Sequence, residues 1–388
     1  MQALWLIFLP AAAYQLLATA AGLRHLRKRR NDKRRRSAFR PPVSVLKPLR
    51  GLDPNTYEAF VSQARQEYPE FEILFGVRDE GDAAVAEVLR LQSEFPAASI
   101  RLIVGSVDAP NGKVGVLMEL ARHARYPIWV INDSDIKVTP SYLEEVVAPL
   151  ADASVGVVTC PYRANAHTAA SGWESLGIAT DFMPSALVAQ LVGVREFGFG
   201  STLAFRAEDL ERAGGFRALA DYIADDYQLA KRITGLGKRA LLSTYTVETA
   251  LADASWAGVW RHQLRWARTI RVTKGAGHAG LPVTHAGVWI LLAIGLGAWA
   301  PAAVLFGARI ASAFVTGCLV LRSSIACRLF WLAPFWDLYA FGIWVTSYAG
   351  RTVRWRDRVL RIDRDGKIER ARGISSDSEP EENQRLRQ

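Results

Sequence analysis

Cysteine is scarce in this 388-residue chain, which has only Cys160, Cys318 and Cys327. No two of them have CxxC spacing, and two lie in or beside apolar stretches, so neither a disulfide framework nor a zinc site is expected. Acidic residues are outnumbered by basic ones, 38 to 48, leaving a net charge of +10. An excess of that sign suits anionic lipid, a phosphorylated substrate or nucleic acid, and the placement of the charges decides among them. Basic residues are absent before Arg24. A secretory signal carries its cations ahead of the apolar run and a small-residue cleavage site after it. Here the order is reversed. Leu4 to Leu23 is apolar apart from Gln15 and Thr19, and nine Lys or Arg follow between Arg24 and Arg36. Residues 1–23 are therefore expected to be a retained span with its N-terminus outside, and 24–40 a basic cytoplasmic linker.

Half of the residues are hydrophobic and 22% are charged, with a mean hydropathy of +0.06, so the two kinds must be segregated along the chain. Residues 281–350 read as a second membrane region. Gly287 to Phe306 and Leu329 to Tyr348 are each long enough to span, the latter despite Asp337. Ile310 to Leu321, flanked by Arg309 and Arg322, reads as re-entrant, interfacial or a short span. The tail, 351–388, is basic from Arg351 to Arg372, which favours a cytoplasmic end and two crossings after the core. Ser375 to Gln388 reads as disordered. Between the membrane regions, 41–280 reads as a soluble domain. Its apolar runs Val43–Leu46, Phe71–Val77, Ile100–Val104 and Ile128–Ile131 alternate with amphipathic helical stretches. That alternation predicts an α/β domain with a parallel sheet, whose ligands lie beyond the carboxyl ends of the strands. At those ends stand Lys47, Arg78 with Asp79, and Asp133 with Asp135.

Asp133 and Asp135 follow a buried strand one residue apart, and both can turn toward one cation. Hard oxygen ligands suit Mg²⁺ or Mn²⁺ bridging to a diphosphate; a turn or helix cap would use the same residues. Asp79, with Glu80, Gly81 and Asp82, is by itself an ordinary acidic turn. Asp225-Asp226-Tyr227 leads into a helical stretch, where a carboxylate serves as cap or general base. Arg265 and Trp266 stand side by side, with Arg268 and Arg271 at helical spacing beyond. Such arginines form a basic face near a membrane or neutralise a leaving diphosphate.

In this order the motifs resemble the ceramide glucosyltransferase family, glycosyltransferase family 21, which is allied to family 2 of inverting glycosyltransferases. The resemblance covers nearly the whole chain. It includes the anchor, Val43-Ser44-Val45-Leu46-Lys47-Pro48-Leu49-Arg50-Gly51, Asp79, the strand ending at Asp133, the block Tyr222 to Tyr227, and the Arg265-Trp266 pair. It implies a GT-A-type, Rossmann-like fold. It also implies that Asp79 contacts the nucleotide, Asp133 serves metal and diphosphate, and Asp226 is the base. The loop at Lys47 resembles the family's nucleotide-binding loop, and Asn111-Gly112-Lys113 its second basic contact; as plain sequence both lysines read as surface residues. The (Q/R)xxRW motif departs at its first position, where His262 stands beside Gln263. Phe197-Gly198-Phe199-Gly200-Ser201 reads equally as a close approach to sugar or as a tight core loop.

The resemblance implies that a divalent cation and a UDP-sugar donor serve transfer of a sugar, glucose foremost, to a lipid hydroxyl such as that of ceramide. Transfer takes one inverting displacement at the cytoplasmic face, in a multi-pass protein of the bacterial inner membrane. Asp226, Arg265 and Trp266 carry the chemistry, Lys47, Asp79, Lys113 and Asp133 hold the donor, and Asp133 with Asp135 holds the metal. Rivals are N-acetylglucosamine transfer to a hopanoid, a processive polysaccharide synthase, and a non-catalytic binder of anionic lipid or nucleic acid. Carboxylates in all three family positions disfavour an anion binder, so no nucleic-acid partner is expected.

Overall fold

The computed structural model describes residues 2–32, 38–251, 255–355 and 358–369. Residues 33–37 of the basic linker, and the segment Ser375–Gln388 expected to be disordered, lie outside the described residues.

The strands in chain order are β1 (Val43–Pro48), β2 (Phe71–Val77), β3 (Ile100–Val104), β4 (Ile128–Ile131), β5 (Val155–Thr159), β6 (Tyr162–Asn165), β7 (Leu203–Arg206), β8 (Arg239–Leu242), β9 (Val247–Ala250), β10 (Thr352–Trp355) and β11 (Arg358–Arg361). Seven form one sheet in the order β3-β2-β1-β4-β7-β5-β8. The first four are mutually parallel, and β7 runs antiparallel between β4 and β5. Every residue of β1 and β4 is buried, as strands covered by helices on both faces require. The limits of β2, β3 and β4 match the apolar runs. β1 is longer than expected, because Lys47 and Pro48 continue the ladder opposite Phe75 and Gly76. Lys47 is thus inside the strand.

Helices deliver the remaining site residues to the carboxyl edge of the sheet. Gly112–His123 starts at Asn111, whose side-chain oxygen accepts the N–H groups of Lys113 and Val114, a standard N-cap. Asp225–Thr234 packs under β5, where a Cβ on Gly156 would stand 2.7 Å from Ile233. Trp256–Thr273 lies against Ala169–Gly177 and Ala333–Ser347.

Among the described residues three helices are long and apolar enough to cross a membrane: Trp5–Asp32, Trp299–Val320 and Ser324–Ser347. The apolar run Gly287–Phe306 is not one of them, because it divides between helices Ala286–Gly295 and Trp299–Ala313. The cause is Gly297. Its φ of 68° ends the first helix, with Gly297 N–H bonded to Ile294 O and Ala298 N–H to Ala293 O, the paired bonds of a Schellman stop. Ile310–Leu321 belongs instead to the second half of the span-length helix Trp299–Val320 and the residue after it. Asp337 is explained by Arg309. The fully buried pair is bidentate at 2.9 and 2.7 Å, and Arg309 also donates to Thr180 O at 2.8 Å.

The chain's last described strands return to the domain. Ile223 N–H bonds Gly366 O at 3.2 Å and Ile368 N–H bonds Asp221 O at 2.7 Å. Residues 221–223 and 366–368 therefore share one side of any membrane the helices cross, so an even number of crossings separates them. Trp299–Val320 and Ser324–Ser347 are long and apolar enough to supply two, and the helix pair Gly275–Val283 and Ala286–Gly295 is bent by 43°, the shape of a broken span or a re-entrant loop.

Candidate active site

Lys47 has no exposed surface. Its ammonium donates to Asn132 Oδ1 at 2.6 Å and to Asp133 O at 2.9 Å, so it braces the turn after β4 from below. Burial pulls its pKa down to about 7, against the opposing charges of Asp135 and Asp133. Lys113 reaches the same turn from above, 2.6 Å from Asp133 Oδ1 and 3.5 Å from Asp225 Oδ2. Burial would lower its pKa, but the charges of Asp133 and Asp225 overcome that and raise it, keeping the ammonium protonated. Neither lysine is the surface residue that composition suggests.

Asp133 keeps its side chain 45% exposed at the mouth of the site. Asp135 is turned the other way, its Oδ2 accepting from the Thr249 hydroxyl and, at 3.2 Å, from Ala250 N–H. It thereby joins the turn to β9. Burial first, and the Asp133 charge second, raise the Asp135 pKa to about 6. Two hard-oxygen carboxylates that repel one another, one exposed and clamped only by an ammonium, fit a divalent cation with Asp133 as its ligand. Asp135 supports Asp133 from behind. Among the described residues no group of three His, Cys, Asp or Glu side chains forms a closed cage.

The glycine-aromatic loop connects the two halves of the site. Gly200 O accepts the Asp133 N–H at 3.0 Å, while Gly200 N–H donates to Asp226 Oδ2 at 3.0 Å. A Cβ on Gly200 would stand 2.6 Å from Asp133 Oδ2, so a side chain here would displace the Asp133 carboxylate. Asp226 Oδ1 accepts from Tyr227 N–H at 2.7 Å. Burial, reinforced by Asp225 and opposed by Lys113, raises the Asp226 pKa to about 6. Asp225 points elsewhere, to Lys113 and to Asn111 Nδ2 at 3.3 Å. The two adjacent acids thus have separate surroundings.

Trp256–Thr273 closes the site with Arg265 and Trp266. Burial lowers the Arg265 pKa, opposed by the carboxylates of Asp133, Glu174 and Asp226, which places its cation in their common field. Trp266 packs at a tilt against His262 and Phe182, with ring centres 4.8 and 6.0 Å away. His262 Nδ1 and Gln263 Nε2 both meet Glu174 Oε1, at 2.5 and 2.8 Å. The departure from the motif's first position therefore leaves Gln263 and His262 sharing one carboxylate. Arg268 and Arg271 face away, toward Ala349 O, Thr352 O and Gly350 O, where cations satisfy the carbonyls of a helix end.

Asp79 lies exposed in the turn after β2, at the carboxyl end of that strand. Its neighbour Asp82 orders the adjoining loop by accepting Gly51 N–H at 2.9 Å. Three contributors went unforeseen. Asn132, Glu174 and Thr249 work through contacts 85, 88 and 114 residues apart, and no local spacing signals such pairs. Gly200 had a visible signal, its place in a glycine-aromatic run between Phe199 and Ser201, without an indication of which residues it would join.

The family model described as glycosyl transferase family 21 matches residues 3–368. The chain is 28% identical over 229 residues to ceramide glucosyltransferase 1 of Caenorhabditis elegans, covering 58% of this chain and 49% of the relative. With ceramide glucosyltransferase 3 of the same organism it shares 25% over 232 residues, covering 59% and 50%. The chain spans about half the length of the curated relatives it matches. Among solved structures, the mannosyltransferase PcManGT from Pyrobaculum calidifontis, in complex with GDP-Man and Mn²⁺, superposes with a TM-score of 0.51 at 21% identity. That alignment covers 88% of this chain and 99% of the other. The fold is the GT-A fold.

Proposed function

Since the chain belongs to glycosyl transferase family 21, we propose that it transfers a hexose, glucose foremost, from a UDP-sugar to a lipid hydroxyl such as that of ceramide. The reaction takes place at the cytoplasmic face of a membrane. One observation carries the reading: the Gly200 backbone ties the turn of an exposed carboxylate, Asp133, to a second carboxylate, Asp226, whose pKa is raised into the range of a general base. A binding module has no use for the second.

In this mechanism Lys113 and Arg265 face the donor's diphosphate, and Lys47 holds the Asp133 turn beneath it. A divalent cation held by Asp133, when bound, supplies Lewis-acid neutralisation of that diphosphate. Asp226 takes the proton from the acceptor hydroxyl as its oxygen attacks the anomeric carbon. The new glycosidic bond forms as the bond to UDP breaks, with inversion and no covalent enzyme intermediate. Trp266 and the aromatic group around Phe182 and Phe199 form the apolar wall beside which a lipid enters.

The test is to incubate the purified protein in detergent with UDP-glucose, UDP-N-acetylglucosamine and other UDP-sugars, each with ceramide, hopanoid and total lipid extracts. Products are identified by mass spectrometry. A hexosyl-ceramide formed from UDP-glucose is the expected outcome. A product on hopanoid alone would reassign the acceptor, and release of polymer would reassign the reaction.

A further inference from the structure

A second pocket, of about 340 Å³, lies outside the site above and is lined by Arg271, Val272, Tyr348, Gly350, Arg351 and Arg364. Three guanidinium groups line it and no carboxylate does. Arg271 is fixed, donating to Gly350 O at 2.7 Å with its guanidinium 5.5 Å from the Tyr348 ring centre. Arg351 and Arg364 are exposed. Two neighbouring acids are engaged elsewhere, Asp363 Oδ1 accepting the N–H groups of Asp365 and Lys367 and Glu369 pairing with Arg361 at 3.2 Å. The exposed Asp365 beside Arg364 does not line the pocket. Burial first, and the Arg351 charge second, lower the Arg271 pKa.

We propose that this pocket binds the anionic phosphate of an acidic phospholipid headgroup. Planar guanidinium groups from three elements match phosphate oxygens in paired hydrogen bonds. Lipid is favoured as the source because Tyr348 immediately follows the span-length helix Ser324–Ser347 and is half exposed. Aromatic rings at such a position sit at headgroup level. The site also has a route to the carboxylates. Arg364 lies in the turn before Gly366, whose carbonyl holds Ile223 N–H, and Ile223 packs with Val353, Ile362 and Ile368. A bound phosphate would clamp this unit to Trp256–Thr273 and brace residues 221–224, which lead directly into Asp225 and Asp226.

The full chain, in non-ionic detergent, is titrated separately with short-chain phosphatidylglycerol, short-chain phosphatidylcholine and inorganic phosphate, and the thermal unfolding midpoint is followed. Phosphatidylglycerol should raise the midpoint with concentration, as a ligand of the folded state must, while phosphatidylcholine should not. The double variant Arg351→Gln, Arg364→Gln should lose that rise. Arg364→Gln alone, lessening it, serves if the double variant does not fold. An equal rise with inorganic phosphate, also lost in the variant, upholds the anion site and assigns it to free phosphate. A rise of the same size in variant and wild type, or none in either, overturns the site.

Discussion

At Asp226 both carboxylate oxygens already accept backbone N–H groups, from Tyr227 and Gly200, so the side chain is held in one orientation. Asp226→Asn keeps that shape and removes the basic site. Transfer should fall by roughly 10²- to 10⁴-fold while UDP-sugar affinity, measured calorimetrically, stays near wild type. Asp225→Asn should retain far more activity, since Asp225 faces Asn111 and Lys113. The reverse ranking would put the base one residue earlier. Because a base must be deprotonated to act, and Asp226 is raised to about 6, kcat/KM should hold above that pH. Below it the value should fall about tenfold per unit. For the cation, EDTA and Asp133→Ala should each abolish turnover, and Asp135→Ala should act less severely; undiminished turnover in EDTA removes the metal. The identities of these acids were legible in the sequence. Their surroundings were not, because Lys113, Gly200 and Glu174 reach them across the fold, and a lysine that will be buried looks like any other lysine.

Among the elements, the loop 197–201 is where a single methyl group decides the outcome. Gly200→Ala places its Cβ 2.6 Å from Asp133 Oδ2, so Asp133 or the loop has to move. We expect transfer to drop by more than tenfold with little loss of stability, because the displaced group is a partly exposed carboxylate, read from initial rates and chemical unfolding. Wild-type rates in this variant would show that Asp133 needs no fixed position. In the membrane region, Asp337→Ala strands the Arg309 cation in a fully buried place. A loss of about 3–5 kcal/mol is expected for breaking such a pair, seen as a lower melting temperature in detergent. Strands were the most legible elements, since β2, β3 and β4 are bounded where their apolar runs end. The break at Gly297 was hidden by hydropathy, which counts apolar residues and ignores the left-handed turn that only a glycine makes readily.

For the whole molecule, the bonds between residues 221–223 and 366–368 put the domain and the chain's late strands on one face. In a cysteine-free background, Arg212→Cys and Glu369→Cys, both at exposed positions, should react alike with an impermeant thiol reagent. Both should be protected in intact cells and labelled after lysis. Labelling of one alone would break the crossing parity. Basic tracts suggest a shared side in the sequence, and the hydrogen bonds between residues 221–223 and 366–368 add the parity that any crossing scheme has to meet.

The first long helix has a further consequence, in the timing of synthesis. Gln15 bonds Thr284 O across 269 residues, and Arg29 bonds Val320 O across 291. At about 5–20 residues per second, the ribosome needs roughly a quarter of a minute to a minute to deliver those partners. Throughout that interval Gln15 and Arg29 lack the carbonyls that later satisfy them, so the hydrogen bonding of Trp5–Asp32 is completed only after the segments carrying Thr284 and Val320 have been made.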